Sequence, residues 1–215
     1  MKKHLPGLSL LFILLSDLGM AGAQPLSPEK ADQSLLYATA EEIEIFRKDQ
    51  GRYPASLEEL QAPKYHFNKD TRQNPPHYRP SADGKGFDLI ALGADGKLGT
   101  SDDIKYDPAK RADNTQPMYG GPGIVKTPFQ LELDEKFIQQ GIQGAGSREK
   151  ACQDVIKWGW EKLNAGDSTT AMKRFNQAWL LDPSNPQVFK GFAAVLKKQG
   201  KTAEADRMEG MIPKK

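Results

Sequence analysis

The sequence has few of the residues that build covalent or metal-bound frameworks. Its 215 residues include one cysteine, Cys152, and three histidines. A single cysteine forms neither an intramolecular disulfide nor a cysteine-based zinc site. His66 and His77 are eleven residues apart, a separation that matches no standard spacing of zinc ligands. We therefore expect no disulfide framework and no zinc centre, and we interpret Cys152 as a small buried apolar residue.

A large excess of one charge is also missing. The chain has 30 lysines and arginines and 28 aspartates and glutamates, which gives a formal net charge of +2. Nucleic-acid binding draws on concentrated positive charge, so we expect no nucleic-acid partner. Neither a glycine-rich phosphate loop nor a Gly-x-Ser-x-Gly nucleophile motif occurs in the sequence. These absences favour a protein that is not an enzyme.

An apolar run at residues 8–15 is well short of the roughly 20 residues that span a bilayer. The run follows Lys2 and Lys3 and precedes Ala21-Gly22-Ala23. A basic start, a short apolar core and small residues at the end are typical of a secretory signal peptide. We expect residues 1–23 to be removed after Ala23, which leaves a nearly neutral periplasmic or secreted protein with no membrane span.

Capping and turn residues organise the first part of the mature chain. Ser27-Pro28-Glu29 predicts a helix start, and Gly51 predicts the stop of that helix. An apolar stripe lies between them, and it must pack on another element. We expect a helix from about 28 to 49, a short second helix near 54–60, and strands at 77–80 and 86–92 joined by a turn. Residues 24–108 should therefore form a helix packed on a small antiparallel sheet.

The remaining chain falls into two parts. Prolines and glycines with little periodicity predict a linker at 109–146, with a weakly helical patch near 131–140. Residues 147–215 are strongly helical and are interrupted at Gly166, at Asp182-Pro183 and at Gly200, which predicts two helical hairpins. The expected fold class is thus an α+β domain followed by an all-α module.

The two hairpins are copies of each other at an offset of 34 residues. The matching positions are Val155, Trp158, Gly159, Gly166 and Ala171 in the first copy and Phe189, Phe192, Ala193, Gly200 and Ala205 in the second. Small residues allow close helix approach and aromatic residues fill the space between hairpins. Residues 152–211 resemble tetratricopeptide repeats. Because two repeats bury little core by themselves, we expect them to pack against the linker or the N-terminal domain.

The tetratricopeptide resemblance implies a protein or peptide partner bound along a concave face. The matching positions of that face are Gln153, Trp160, Asn164 and Lys190. Trp160 has a second interpretation, in which its ring packs against a neighbouring helix, because aromatic residues on helices are often part of the core.

The densest chemical signal is a glycine-rich loop after the second strand, from Leu92 to Ile104, which contains three carboxylates. Calcium accepts six to eight oxygen ligands in flexible geometry, so such a loop suits this cation. The alternative is a solvated turn, in which aspartate and glycine are present because they tolerate turn conformations. The residues alone leave both interpretations open.

A wider set of motifs resembles type II secretion major pseudopilins over about residues 40–104. These motifs are Gly51-Arg52-Tyr53-Pro54, Asn74-Pro75 with Tyr78, Phe87 to Gly96 with its Leu-Gly-Ala-Asp-Gly end, and Asp102-Asp103-Ile104. The resemblance implies calcium binding by Asp95, Asp102 and Asp103, with the carbonyls of Leu92 and Lys97 as further ligands. The loop is shorter than the usual family version.

The chain also departs from that family. We expect an ordinary signal peptide in place of the pseudopilin leader and long apolar helix, and so we do not expect the chain to polymerise as a pseudopilin does. Our hypothesis is an adaptor that is associated with a type II secretion or pilus-like envelope system and binds structural calcium. The rival hypothesis is an exported metal-dependent enzyme, or an enzyme accessory, that uses the aspartate loop.

Overall fold

A computed structural model describes residues 26–61 and 64–212. The predicted signal peptide at 1–23 lies outside the described residues. The chain divides into two compact units, Met1–Asp107 and Pro108–Lys215. The first unit contains one long helix and a three-stranded antiparallel sheet, and the second contains five helices within its described residues. The fold is therefore of the mixed α+β kind.

Helix α1 spans Pro28–Gln50 and is the long helix of the first unit. The Ser27 hydroxyl accepts a hydrogen bond from the Lys30 amide, and Pro28 occupies the first turn. The helix ends at Gly51, whose backbone has a φ of 72° and donates to the Arg47 carbonyl. Both predicted ends are confirmed, and the predicted apolar stripe is the buried face, formed by Leu35, Leu36, Tyr37, Ala40, Ile43 and Phe46.

The sheet consists of β1 (His77–Pro80), β2 (Phe87–Ala91) and β3 (Ile104–Lys105) in the order β1-β2-β3. Tyr78 pairs with Leu89 across the first hairpin, and Ala91 pairs with Ile104 across the second. Leu89 and Ala91 are buried, and α1 packs on β2. The two predicted strands are confirmed. The two-residue β3 was not predicted, because so short a strand has no alternating pattern to detect.

The predicted second helix is a short 3₁₀ helix, Leu57–Gln61. In a 3₁₀ helix the side chains at i and i+3 lie above one another, so Leu57 and Leu60 are buried together. A short 3₁₀ helix is therefore enough to bury both leucines, and a full α-helix is not needed.

The second unit begins with structure where the sequence predicted a linker. Helix α2 spans Pro128–Ala145. The Thr127 hydroxyl accepts from the Gln130 amide and the Gln130 side chain accepts from the Thr127 amide, which forms a capping box. No residue of α2 is fully buried, although Phe137 and Ile138 pack against the core of the unit. The segment 109–146 therefore belongs to the second unit, and its helix is longer than the predicted patch at 131–140.

Four helices follow as two hairpins: α3 (Arg148–Asn164), α4 (Ser168–Leu181), α5 (Pro186–Lys198) and α6 (Thr202–Gly210). Gly166 and Gly200, one in each hairpin turn, have φ values of 89° and 76°. The two repeats pack differently at one matching pair of positions. Phe192 is fully buried, whereas Trp158 is 47% exposed. The Arg174 guanidinium lies 5.8 Å from the centre of the Trp158 ring. Trp158 therefore does not fill space between the hairpins, contrary to the sequence-based expectation.

Candidate functional site

The aspartate loop connects β2 to β3 and is closed by a contact between Gly93 and Asp102. Gly93 has a φ of 60°, and a β-carbon at this position would lie 2.5 Å from Asp102 Oδ2. A side chain at Gly93 would thus meet both an unfavourable backbone conformation and a steric clash. The start of the loop is held directly against the carboxylate of Asp102.

Asp102 serves as the main acceptor of the loop. Its Oδ2 accepts hydrogen bonds from the amides of Ala94 (2.5 Å) and Asp95 (3.1 Å), and its Oδ1 accepts from the Thr100 hydroxyl (2.7 Å). These hydrogen bonds, with that from Thr100 the largest, lower the pKa of the Asp102 carboxyl below its usual value. The loop is therefore built around an ionised Asp102.

Three oxygens converge on the Thr100 hydroxyl. Thr100 Oγ1 lies 2.7 Å from Asp102 Oδ1, 3.0 Å from the Lys97 carbonyl oxygen and 3.3 Å from Asp95 Oδ1. A hydroxyl has one proton, so it can fully satisfy only one of these three acceptors. Asp95 Oδ1 has a second donor, the Lys97 amide at 2.8 Å, so Asp102 Oδ1 and the Lys97 carbonyl are the oxygens that share the hydroxyl proton.

Asp103 lies in a different environment. Its Oδ2 accepts from the Gly99 amide at 2.7 Å, while its Oδ1 is buried and has no hydrogen-bond partner. A buried acceptor without a donor is costly, and a cation would relieve that cost. Leu92, whose carbonyl is the fifth predicted ligand, follows β2 directly at the loop entrance.

The structure therefore brings Asp95, Asp102 and the Lys97 carbonyl together, and it holds Asp103 on a separate amide. Within residues 26–61 and 64–212, no three histidine, cysteine, aspartate or glutamate side chains form a group that could hold a metal ion. The donor chemistry still fits calcium, because every group in the predicted set offers oxygen and one carboxylate oxygen has no donor.

The predicted partner-binding residues lie on helices α3 and α5. Gln153, Asn164 and Lys190 are exposed. Trp160 is half-buried and packs edge-on against Phe175, with the ring centres 5.4 Å apart. Of its two interpretations, packing against a neighbouring helix matches the observed contact. The other three predicted positions, Gln153, Asn164 and Lys190, present polar side chains at the surface.

Cys152 is buried in the core of the second unit, as expected. Burial, the largest effect, together with the nearby Asp182 carboxylate raises the pKa of the thiol to about 11. A thiol with such a pKa is a poor nucleophile at neutral pH.

Sequence reasoning missed a compact loop in the second unit, residues 112–124, which we call the clamp loop. Its two ends are joined by a parallel bridge between Arg111 and Val125, and inside it the Asp113 amide donates to the Tyr119 carbonyl at 2.7 Å. Loops of this size with adjoining ends are often functional. Met118 of this loop is buried in the core formed by α3 to α6.

The Asn176 side chain holds the clamp loop on α4. Its carboxamide nitrogen donates to the carbonyls of Asn114 (3.0 Å) and Gln116 (2.8 Å), and its oxygen accepts from the Tyr119 amide (3.2 Å). Asn176 is fully buried, and it lies among the apolar positions of α4. A single asparagine on a buried helix face signals that some other segment must satisfy its carboxamide, although the sequence does not identify that segment.

A groove of about 1360 Å³ lies beside the clamp loop, within the second unit. It is bounded by the clamp loop, α2, α4 and α6, and its apolar lining includes Leu133, Phe137, Leu180 and Met208.

Comparison with protein-family models, with curated proteins and with solved structures finds no match. Among the helices in the described part of the chain, none combines the length and the apolar character that crossing a membrane requires.

Proposed function

We propose that this chain is an exported, non-catalytic adaptor protein with a structural calcium-binding loop. In this proposal the first unit is a pseudopilin-like domain that docks to a type II secretion or pilus-like envelope assembly. The second unit is a tetratricopeptide-like module that binds a protein or peptide partner.

The observation that carries the calcium part is the convergence on Thr100. Oxygens of Asp95, Lys97 and Asp102 lie within 3.3 Å of one hydroxyl, which has a single proton to donate. A hard cation that binds at this point would neutralise two carboxylates and take the carbonyl as a third ligand. The buried, unpartnered Oδ1 of Asp103 supplies a further acceptor in the same loop.

A structural rather than a catalytic role fits the surroundings of this loop. The polar groups around the carboxylates are backbone amides and one threonine hydroxyl, and these donors fix the loop in place. The calcium ion would therefore stiffen the connection between β2 and β3.

The adaptor part rests on the two helical hairpins and on the exposed polar positions that they present. Gln153 and Asn164 on α3 and Lys190 on α5 are available to a partner. Because these side chains are exposed, replacing them should leave the fold intact.

Thermal unfolding in EDTA and in millimolar calcium tests the calcium site. We expect calcium to raise the Tm of the mature chain, residues 24–215, because a ligand that binds only the folded state stabilises it. The rise should disappear in Asp95→Ala. It should persist in the matched control Asp83→Ala, whose exposed aspartate lies in the β1–β2 turn and bonds only the Lys85 amide among the contacts described. No rise in the unaltered chain would leave the loop as a solvated turn.

Affinity capture from envelope extracts tests the adaptor role. The unaltered chain should retain a component of the secretion or pilus-like apparatus. A protein or peptide partner of the second unit should be captured as well, and the triple variant Gln153→Ala, Asn164→Ala, Lys190→Ala should lose that partner while keeping the apparatus component and its helical circular dichroism. Equal capture by both proteins would place the partner elsewhere.

A further inference from the structure

We propose that the clamp loop is an intramolecular ligand of α4, and that it occupies a surface which a turn-forming segment of a partner protein binds when the loop is released. This surface includes Asn176 on α4, whereas the partner-binding positions predicted from the sequence lie on α3 and α5. The proposal therefore depends neither on those positions nor on calcium.

The recognition of the clamp loop by Asn176 is independent of the side chains of the loop. All three hydrogen bonds of the Asn176 carboxamide go to main-chain groups, namely two carbonyls and one amide. Any segment that follows the same turn can offer the same three groups, since every residue except proline has both a carbonyl and an amide. Asn176 thus recognises a backbone conformation.

The apolar anchor of the clamp loop is Met118, which lies next to the buried Pro117. Met118 is buried in the helical core of the second unit, and it lines the groove at the same time. Methionine is unbranched and adaptable, so a partner could insert methionine or leucine at this point. The chemical class that fits is therefore a turn with one unbranched apolar residue at its tip.

The bound form of the clamp loop is strained. Met118 has φ and ψ of 50° and 34°, and Tyr119 has 60° and 17°, so two consecutive residues other than glycine adopt the left-handed conformation. This conformation is unfavourable for residues with a β-carbon and persists only where surrounding contacts enforce it. A partner segment with glycine at either position would bind without that strain.

A small number of residues makes the described contacts that hold the loop, and space is available beside it. Beyond Asn176 and Met118, the Tyr119 hydroxyl bonds Asp134 on α2, and the Lys126 ammonium lies 3.7 Å from the centre of the Tyr119 ring. The groove of about 1360 Å³ adjoins the loop on the side of α2 and α6. A released loop can therefore leave α4 while its base at Arg111 and Val125 stays paired.

A labelled cyclic peptide tests this directly. Its sequence is that of residues 111–125, closed by a disulfide through the changes Arg111→Cys and Val125→Cys. Fluorescence anisotropy compares its binding to the full chain and to the full-chain variant Met118→Ser, which weakens the loop and leaves Asn176 in place. A closed loop lowers apparent affinity by the fraction of open molecules, so we expect the variant to bind at least about tenfold more tightly.

A second peptide that itself carries Met118→Ser is the matched control, and it should bind neither chain. Two outcomes would overturn the proposal. The first peptide would fail to bind a folded Met118→Ser chain, or it would bind that chain and the unaltered chain equally well.

If Met118→Ser does not fold, hydrogen exchange of the unaltered chain tests whether the clamp loop opens separately from the rest of the second unit. If the loop opens by itself, the Tyr119 amide hydrogen should exchange with solvent at least about tenfold faster than the amide hydrogens in the middle of α4. Equal rates would show that the loop leaves only when the whole unit unfolds, and would exclude its release as a separate event.

Discussion

Phe175 lies in the space that a side chain at Gly159 would need. A β-carbon on Gly159 of α3 would be 2.7 Å from the Phe175 ring of α4, and one on Gly191 of α5 would be closer still. The ring is fully buried between these two backbones. The absence of a side chain at both glycines thus sets the spacing of three helices in the second unit.

Gly191→Ala should therefore destabilise the second unit by about 1–3 kcal/mol, because it overpacks a core that has no room. Gly144→Ala in α2 is the matched control, since nothing lies within 4 Å of its β-carbon, and it should be neutral or stabilising. Urea unfolding followed by circular dichroism measures both. Pairing Gly191→Ala with Phe175→Leu should recover part of the loss, and no recovery would argue against the ring as the cause.

Gly93→Ala should destabilise the first unit more than Gly84→Ala does. Both glycines have φ values near 60–69°, so both substitutions introduce similar backbone strain. Only the β-carbon at Gly93 meets Asp102, whereas nothing lies within 4 Å at Gly84. Thermal unfolding of the two variants separates the clash from the strain, and equal losses would contradict the tight closure of the loop.

The ends of α1 could be predicted because capping is local. Ser27 and Gly51 each act on backbone groups within four residues along the chain, so the information lies beside the helix. The clamp loop could not be predicted in this way. Asn176 bonds the Asn114 carbonyl across 62 positions, and no periodic pattern marks such a pair in advance.

In the candidate site, too, some features could be predicted from the sequence and others depend on the folded geometry. The resemblance and the residue types identified Asp95 and Asp102, which the loop does bring together. The role of Thr100 and the separate position of Asp103 depend on loop geometry, which a string of aspartates and glycines does not specify.

Stability should fall at alkaline pH because of Cys152. Its pKa is about 11 in the folded chain and near 9 for an unperturbed thiol, so the folded state keeps the proton that the unfolded state loses. The stabilisation is complete below pH 9 and is lost as the pH rises to about 11, with a slope of up to about 1.4 kcal/mol per pH unit. Urea unfolding of the unaltered chain and of Cys152→Ala over this range measures it. The variant should show a shallower decline, and parallel curves would assign the decline to other groups.

Thr100→Val should lower the Tm more in EDTA than in calcium. The hydroxyl is the only donor that joins Asp95, Lys97 and Asp102 at one point among the contacts described, and valine keeps its shape without the proton. Calcium would supply the missing positive charge, so it should offset the loss. Ser101→Ala, next to it in the exposed part of the loop, should show no such dependence. A Tm loss for Thr100→Val that is the same in both buffers would separate the hydroxyl from any cation.

Calcium titration by isothermal calorimetry is the most direct test of the calcium site, with residues 24–215 compared with the double variant Asp95→Asn, Asp102→Asn. Asparagine keeps the size of each side chain and removes the charges that would hold the cation. We expect one calcium ion per unaltered chain and none for the double variant. Calcium binding of equal strength and stoichiometry in both proteins, or no binding in either, would contradict this expectation.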